Sequence, residues 1–213
     1  MAEGAHGGKV WTPANIITLV RILLIPVFVV VLLSPWPLWV PFSDFWSFWQ
    51  PWVAAFVFGG ISFTDAIDGH LARSRDEVTD LGKFLDPLAD KILVCSALLA
   101  LIELDVLPSW IALIIIAREF IVSGLRMVAS SQGKVIAASY LGKVKTVLQI
   151  SAILLFTVKD SPAISLLGEG VSFGVGVFAW VVMVAAVVMT VVSLVDYFAK
   201  TKDLLGFGKR QRQ

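Results

Sequence analysis

Residues 62–91 read SFTDAIDGHLARSRDEVTDLGKFLDPLADK and place four carboxylates in a chain that is otherwise largely apolar: Asp65, Asp68, Asp86 and Asp90. The first two aspartates are three residues apart and the last two are four apart. On α-helices such pairs project from one face, with about 4.5 and about 6 Å between their positions along the axis. The intervening segment, residues 69–82, is long enough for the chain to reverse its direction. The stretch therefore predicts two neighbouring helices whose acidic faces form one site.

The composition around this stretch is that of an integral membrane protein. Of the 213 residues, 58% are hydrophobic and only 15% are charged, which is unusual for a soluble domain. A spanning helix needs about 20 mostly apolar residues, and six apolar runs are present: 16–33, 53–65, 84–102, 110–129, 144–158 and 171–198. The second run is short for a span unless its helix continues through the aspartates. The sequence predicts an all-α membrane protein of six helices, with the aspartates at one end of the membrane.

The basic residues predict the orientation. With six spans, the outer segments would be 34–51, 103–109 and 159–170, and Lys159 is the only one of the 17 Lys and Arg residues within them. The positive-inside rule then places both termini and the aspartates on the cytosolic side. We expect a disordered Gly-rich tail at 1–10, a six-helix membrane domain that holds the acidic site at 11–199, and a basic cytosolic tail at 200–213.

Four carboxylates in a partly desolvated cleft require neutralisation. Ionised side chains at membrane depth are costly unless they are paired, and two divalent cations supply the four missing positive charges. Oxygen ligands without a nearby cysteine favour a hard ion such as Mg²⁺ or Mn²⁺ over zinc. Two adjacent metal ions are suited to displacement at phosphorus. The acidic residues therefore predict a two-metal site for phosphoryl chemistry.

The same stretch resembles the signature of the CDP-alcohol phosphotransferases. Its pattern is Asp65-x2-Asp68-Gly69-x2-Ala72-Arg73-x8-Gly82-x3-Asp86-x3-Asp90, which matches each fixed position and spacing of that family. The resemblance implies a six-helix bundle, usually a homodimer, whose cytosol-facing cavity joins a CDP-linked group to an alcohol and releases CMP. It further implies that all four aspartates are metal ligands and that Asp90 is also the general base.

The resemblance assigns a second set of residues to the nucleotide pocket. Small residues would allow close approach of the nucleotide, and the one arginine would offset phosphate charge. These residues are Asn15, Gly69, Ala72, Arg73 and Gly82.

A second cluster of charge bears on the acceptor alcohol. Arg118 and Arg126 are eight residues apart on one predicted helix, and Lys143 and Lys145 begin the next. Basic residues near a membrane often only anchor helix ends at anionic headgroups. Arg118, however, lies inside an apolar run, where a cation needs a partner, and the neighbouring Glu119 cannot satisfy four cations. The patch predicts a site for a small acceptor that carries its own phosphate.

The segments around this patch resemble the members of the family that use sn-glycerol 3-phosphate. The similarity lies in Ala117-Arg118-Glu119, in Leu125-Arg126, in Ser139-x2-Gly142-Lys143-x-Lys145-Thr146-x2-Gln149, and in the opening TPANIITLVRILLIPV. It implies transfer of a phosphatidyl group from CDP-diacylglycerol to sn-glycerol 3-phosphate, giving phosphatidylglycerophosphate and CMP. The last two predicted helices carry little besides hydrophobicity.

Three alternatives remain open at this level. Cardiolipin synthases and phosphatidylinositol phosphate synthases of the same family share the eight-residue signature, and a divalent-cation transporter would also explain intramembrane aspartates. The transporter would need polar groups along a path through the bilayer, and the outer halves of the predicted helices offer almost none. We expect a bacterial plasma-membrane enzyme whose partners are its two substrates, membrane lipids and a second copy of the chain, without nucleic acid.

Overall fold

The computed structural model describes residues 13–34, 43–75, 80–131 and 140–201, and within them the side chains of 16–34, 43–64, 88–131 and 140–200. The described part of the chain is helical and contains no strand, which confirms the all-α prediction. Its helices are α1 (Pro13–Leu33), α2 (Ser43–Arg75), α3 (Asp80–Glu103), α4 (Ser109–Ser131), α5 (Tyr140–Val158), the single turn α6 (Pro162–Ser165) and α7 (Glu169–Thr201).

Three of these helices are long and apolar enough to cross a membrane. They comprise Ile16–Leu33, Tyr140–Val158 and Glu169–Lys200. The other long helices, α2 to α4, interrupt their apolar sequence with charged or polar residues. The chain is therefore an all-helical protein of membrane type, and the count of six spans stays a prediction.

Helix α2 differs from the sequence-based expectation at its start and agrees with it at its end. It begins at Ser43, whereas the apolar run begins at residue 53, so Trp46, Trp49 and Trp52 lie on the helix. Asp44 in the first turn favours this start, because a carboxylate is stabilised at the positive end of the helix dipole. The helix then continues to Arg75, through the acidic stretch, as the length argument predicted.

The first of two compact units, Met1–Glu103, has α1 packed against both α2 and α3. The rings of Phe28 and Phe58 are fully buried, and their centroids are 5.4 Å apart. Gln50 Nε2 donates to the carbonyls of Val31, Leu32 and Ser34 at 2.9, 3.1 and 3.0 Å. The last carbonyls of a helix have no partner within it, so Gln50 joins the first turns of α2 to the end of α1.

The second unit, Leu104–Gln213, has α4, α5 and α6 packed against α7. Fully buried alanines lie on both helices of the α5–α7 pair, including Ala152 and Ala186. Small side chains allow helices to approach closely in a membrane protein. Near the α6 end of this unit, the Phe156 and Trp180 rings meet edge to face with centroids 5.1 Å apart. This packing fixes which polar residues of α4, α5 and α7 meet inside the unit.

Candidate active site

The four aspartates lie on two helices, as their spacing predicts. Asp65 and Asp68 are within α2, and Asp86 and Asp90 are within α3. Because the backbone is helical through each pair, the three- and four-residue separations place each pair on one helical face. Since α2 extends to Arg75 and α3 begins at Asp80, most of the stretch 69–82 is helical.

Asp90 is the one predicted metal ligand whose side chain is described. It is half-buried on α3, directly after the fully buried Ala89. Asp90 also takes part in a polar or electrostatic contact. The other predicted metal and nucleotide residues lie outside the part of the chain whose burial and side-chain contacts are described: Asn15, Asp65, Asp68, Gly69, Ala72, Arg73, Gly82 and Asp86.

The donor set fits a hard divalent cation. Its members are carboxylates, and oxygen ligands are those that Mg²⁺ and Mn²⁺ prefer. Among the described side chains, no group of three or more His, Cys, Asp or Glu residues could hold a metal ion. Since three of the four aspartates are outside that set, the metal assignment stays a prediction.

The described part of the predicted acceptor site is built around Arg118. This side chain is buried within the second unit, with 9% of its surface exposed. Its Nε and Nη2 donate to the hydroxyl of Ser193 on α7 at 3.2 and 3.0 Å, and its Nη1 donates to Glu119 Oε1 at 3.3 Å. The Ser193 hydroxyl in turn donates to the carbonyl of Thr190 at 3.0 Å. Arg118 is thereby held by residues from two helices.

Lys145 on α5 joins the same cluster. It is only 3% exposed, and its Nζ donates to Glu119 Oε1. One carboxylate oxygen therefore accepts from both Arg118 and Lys145. Two cations thus meet at one carboxylate in this buried cluster. Buried charge is costly without a partner, so the cluster is suited to an anion.

Helix α5 passes close to the Arg118 side chain. A Cβ atom at Gly142 would lie 3.9 Å from Arg118 Nη2, which is ordinary van der Waals contact. Gly142 and Lys145 are three residues apart, so both lie on the side of α5 that faces Arg118. The segment that resembles family members in sequence is thus the one that meets the buried guanidinium.

Arg126 and Lys143 are the two exposed members of the predicted patch. The guanidinium of Arg126 lies close enough to Tyr197 of α7 to act on it electrostatically, as does that of Arg118. Lys143 is two residues from Lys145, which on a helix separates their directions by about 160°. The structure thus brings Arg118 and Lys145 together and leaves Arg126 and Lys143 exposed; the acceptor roles of all four stay predictions.

Two polar residues of α7 were missed in the sequence. Ser193 and Tyr197 lie four residues apart in a helix otherwise rich in valine, and both are buried. Their spacing puts them on one face, a signal that the hydrophobicity of the helix obscured. Among the described residues, neither the Tyr197 hydroxyl nor Gln149 Oε1 has a hydrogen-bond partner, although both atoms are buried.

Comparison with known proteins gives the class to which this helical fold and site belong. The family model for CDP-alcohol phosphatidyltransferases matches residues 11–202, which include both acidic helices and the basic cluster. The chain belongs to this family, whose members are in general metal-dependent phosphotransferases.

Individual relatives are similar over most of the chain. A Bacillus subtilis protein named CDP-diacylglycerol–glycerol-3-phosphate 3-phosphatidyltransferase is 42% identical over 200 residues, covering 90% of this chain and 95% of its own length. Proteins of the same name from Salmonella typhimurium and Shigella flexneri are 40% and 34% identical. The Salmonella match covers 65% of this chain and 72% of the relative's length. The Shigella match covers 90% of this chain and 96% of the relative's length.

Proposed function

We propose that this protein transfers a phosphatidyl group from CDP-diacylglycerol to sn-glycerol 3-phosphate, forming phosphatidylglycerophosphate and CMP in phospholipid biosynthesis. The observation that carries the proposal is the 42% identity to the Bacillus subtilis protein of that name over nine-tenths of the chain. The narrower sequence resemblance around Arg118 and Lys145 points to the same acceptor.

The buried cluster supports a phosphate-bearing acceptor. Arg118 and Lys145 share Glu119, and a phosphate monoester would add negative charge beside these two cations. Arginine binds phosphate through paired N–H groups, and Arg118 is pre-positioned by Ser193. Arg126 and the exposed Lys143 would extend the positive field towards the aqueous side, where a soluble acceptor enters.

The aspartates would hold the metal ions. Asp65, Asp68, Asp86 and Asp90 provide oxygen ligands for two divalent cations, Mg²⁺ or Mn²⁺. When bound, these ions would supply positive charge against the pyrophosphate of CDP-diacylglycerol. Gly69, Ala72, Arg73, Gly82 and Asn15 would line the nucleotide pocket, with Arg73 offsetting phosphate charge.

Asp90 would act as the general base. The acceptor hydroxyl gives its proton to Asp90, its oxygen forms a bond to the phosphatidyl phosphorus, and the bond from that phosphorus to the CMP oxygen breaks. CMP leaves with the electron pair of that bond. The half-buried position of Asp90 on α3 is compatible with a base that is screened from bulk water but reachable by substrate.

The proposed setting is the bacterial plasma membrane. Six spans with both termini and the active site on the cytosolic side follow from the distribution of Lys and Arg, and the apolar helices and bacterial relatives support a bacterial membrane protein. Residues 11–199 would form the catalytic domain, between a tail at 1–10 and a basic tail at 200–213. A homodimer in contact with membrane lipids completes the proposal.

An acceptor panel tests the reaction. Purified protein in lipid nanodiscs receives CDP-diacylglycerol, Mg²⁺ and one acceptor at a time: sn-glycerol 3-phosphate, phosphatidylglycerol or inositol phosphate. We expect CMP release and a new phospholipid only with sn-glycerol 3-phosphate. Turnover with phosphatidylglycerol or inositol phosphate instead would reassign the acceptor. Divalent-cation flux in proteoliposomes without CMP release would indicate a transporter.

A further inference from the structure

The Tyr197 hydroxyl is a buried polar group that makes no hydrogen bond to the described residues. The residue is 6% exposed, near the end of α7, and the hydroxyl has no hydrogen-bond partner in the part of the chain that the structure describes. Buried polar atoms in native proteins are nearly always bonded, since an unmade hydrogen bond costs free energy. A phenylalanine would provide the same ring without a polar atom to bury, so the oxygen needs an explanation.

The position of Tyr197 on α7 can be compared with the positions of the two arginines on α4. On α4, Arg126 follows Arg118 by about 12 Å along the axis, and on α7, Tyr197 follows Ser193 by about 6 Å. Arg118 bonds Ser193, and both arginines lie within electrostatic range of Tyr197. Tyr197 therefore lies about one helical turn beyond Ser193, the residue that Arg118 bonds.

Within the described residues, the cluster around Arg118 offers the Tyr197 hydroxyl donors and few free acceptors. Guanidinium and ammonium groups only donate hydrogen bonds. Glu119 Oε1 already accepts from Arg118 and Lys145. The Ser193 hydroxyl accepts from Arg118, and its own proton is directed to the Thr190 carbonyl. A phosphate would supply the acceptor oxygen that the Tyr197 hydroxyl lacks, and its negative charge would be attracted by the neighbouring guanidinium groups.

We propose that the Tyr197 hydroxyl donates a hydrogen bond to a phosphate oxygen of the anionic acceptor, held between Arg118 and Arg126, and is a specificity-determining residue. The inference rests on the proposed function, because that function supplies the phosphate-bearing acceptor. It extends the acceptor site from α4 and α5 to α7, the helix for which the sequence predicted no role beyond span formation.

Tyr197→Phe tests the proposal, because it removes the oxygen and keeps the ring. We expect the KM for sn-glycerol 3-phosphate to rise about tenfold, which corresponds to about 1.4 kcal/mol. The KM for CDP-diacylglycerol should stay within about twofold, a free-energy change of about 0.4 kcal/mol. Inhibition by inorganic phosphate, measured in competition with sn-glycerol 3-phosphate, should weaken by a factor similar to that for the acceptor KM.

The matched control is Tyr140→Phe. Tyr140 is the only other tyrosine of the chain and is 77% exposed at the start of α5. The same chemical change there should leave both KM values unaltered. A melting curve without substrate adds a second readout: removing an unbonded hydroxyl should leave the Tm of the Tyr197→Phe protein unchanged or raise it.

The outcomes separate this inference from the proposed function. If Arg126→Ala raises the KM for sn-glycerol 3-phosphate and Tyr197→Phe leaves it within twofold, the acceptor site stands and the role of Tyr197 is wrong. A lower Tm of the Tyr197→Phe protein with an unchanged acceptor KM would likewise show a structural hydroxyl. If the wild-type protein does not use sn-glycerol 3-phosphate at all, the proposed function fails and this inference fails with it.

Discussion

Arg118 on α4 and Ser193 on α7 are 75 residues apart in the chain and joined by two hydrogen bonds, of 3.2 and 3.0 Å, that converge on one hydroxyl oxygen. This contact fixes the direction of a buried guanidinium while leaving it positively charged. It also connects the helix that carries the basic residues to the helix that carries Tyr197. The contact therefore gives α7 a part in the candidate acceptor site.

Ser193→Ala should misplace Arg118 without removing its charge. Hydrogen bonds to a charged group contribute about 1.5 to 3 kcal/mol, so we expect a lower Tm and a severalfold higher KM for sn-glycerol 3-phosphate. Initial rates at varied acceptor and a melting curve measure the two effects. Ser172→Ala is the control, because Ser172 donates to Ile164 at the other end of α7. An unchanged acceptor KM in Ser193→Ala would contradict a positioning role.

Arg126→Ala should weaken binding of the acceptor alone. A charge-assisted contact contributes about 1.5 to 3 kcal/mol, which at about 1.4 kcal/mol per decade is roughly tenfold to a hundredfold in the KM for sn-glycerol 3-phosphate. Because Arg126 is exposed, we expect an increase in the acceptor KM near the lower end of this range. The KM for CDP-diacylglycerol should hardly change. Steady-state kinetics with each substrate varied in turn measure both values.

Lys200→Ala provides the comparison for Arg126. Lys200 is an exposed cation near the end of α7, paired with Asp196 at 2.8 Å, and has no proposed role in binding. If Arg126 only anchors its helix at the membrane surface, the two variants should behave alike, with the acceptor KM within about twofold of wild type, or about 0.4 kcal/mol. That result would remove Arg126 from the acceptor site and favour a lipid acceptor.

Glu119→Gln should destabilise the second unit, because two buried cations would lose their shared anion. Breaking a buried ion pair by removing one partner costs about 3 to 5 kcal/mol, and the partial exposure of Glu119 places the expected loss at or below the lower end. Added inorganic phosphate should raise the Tm of this variant more than that of wild type, since an anion replaces the lost charge. Equal shifts in both proteins would argue against an anion site at this cluster.

Asp90→Asn should nearly abolish turnover while CDP-diacylglycerol still binds, because the acceptor hydroxyl keeps its proton. A general base typically contributes about 10² to 10⁴ in rate. Product formation and binding of the CDP-linked lipid are measured on the same preparation. Asp44→Asn, at the exposed start of α2, is the control for loss of one carboxylate. More than about a tenth of wild-type activity in Asp90→Asn would be a smaller loss than that range allows and would rule out the base assignment.

The acidic helices were predictable because their signals are local. The second apolar run was too short for a span, which required the helix to continue through Asp65 and Asp68, and α2 does so. The apolar run alone did not predict the early start of α2, although Asp44 in its first turn favours it. It coincides with bonds from Gln50 to the last carbonyls of α1, and no property of residues 43–52 alone encodes that contact.

The sequence by itself determined the helical class, the pairing of aspartates along α2 and α3, and the residues that carry positive charge, since each depends on composition or on spacing within one helix. Only the tertiary structure decided which charges are buried and what they meet. Lys143 and Lys145 differ by two positions, yet one is exposed and the other shares Glu119 with Arg118. The physical reason is that a buried charge takes its partners from whatever α4, α5 and α7 bring within hydrogen-bond distance, and that depends on how the helices pack.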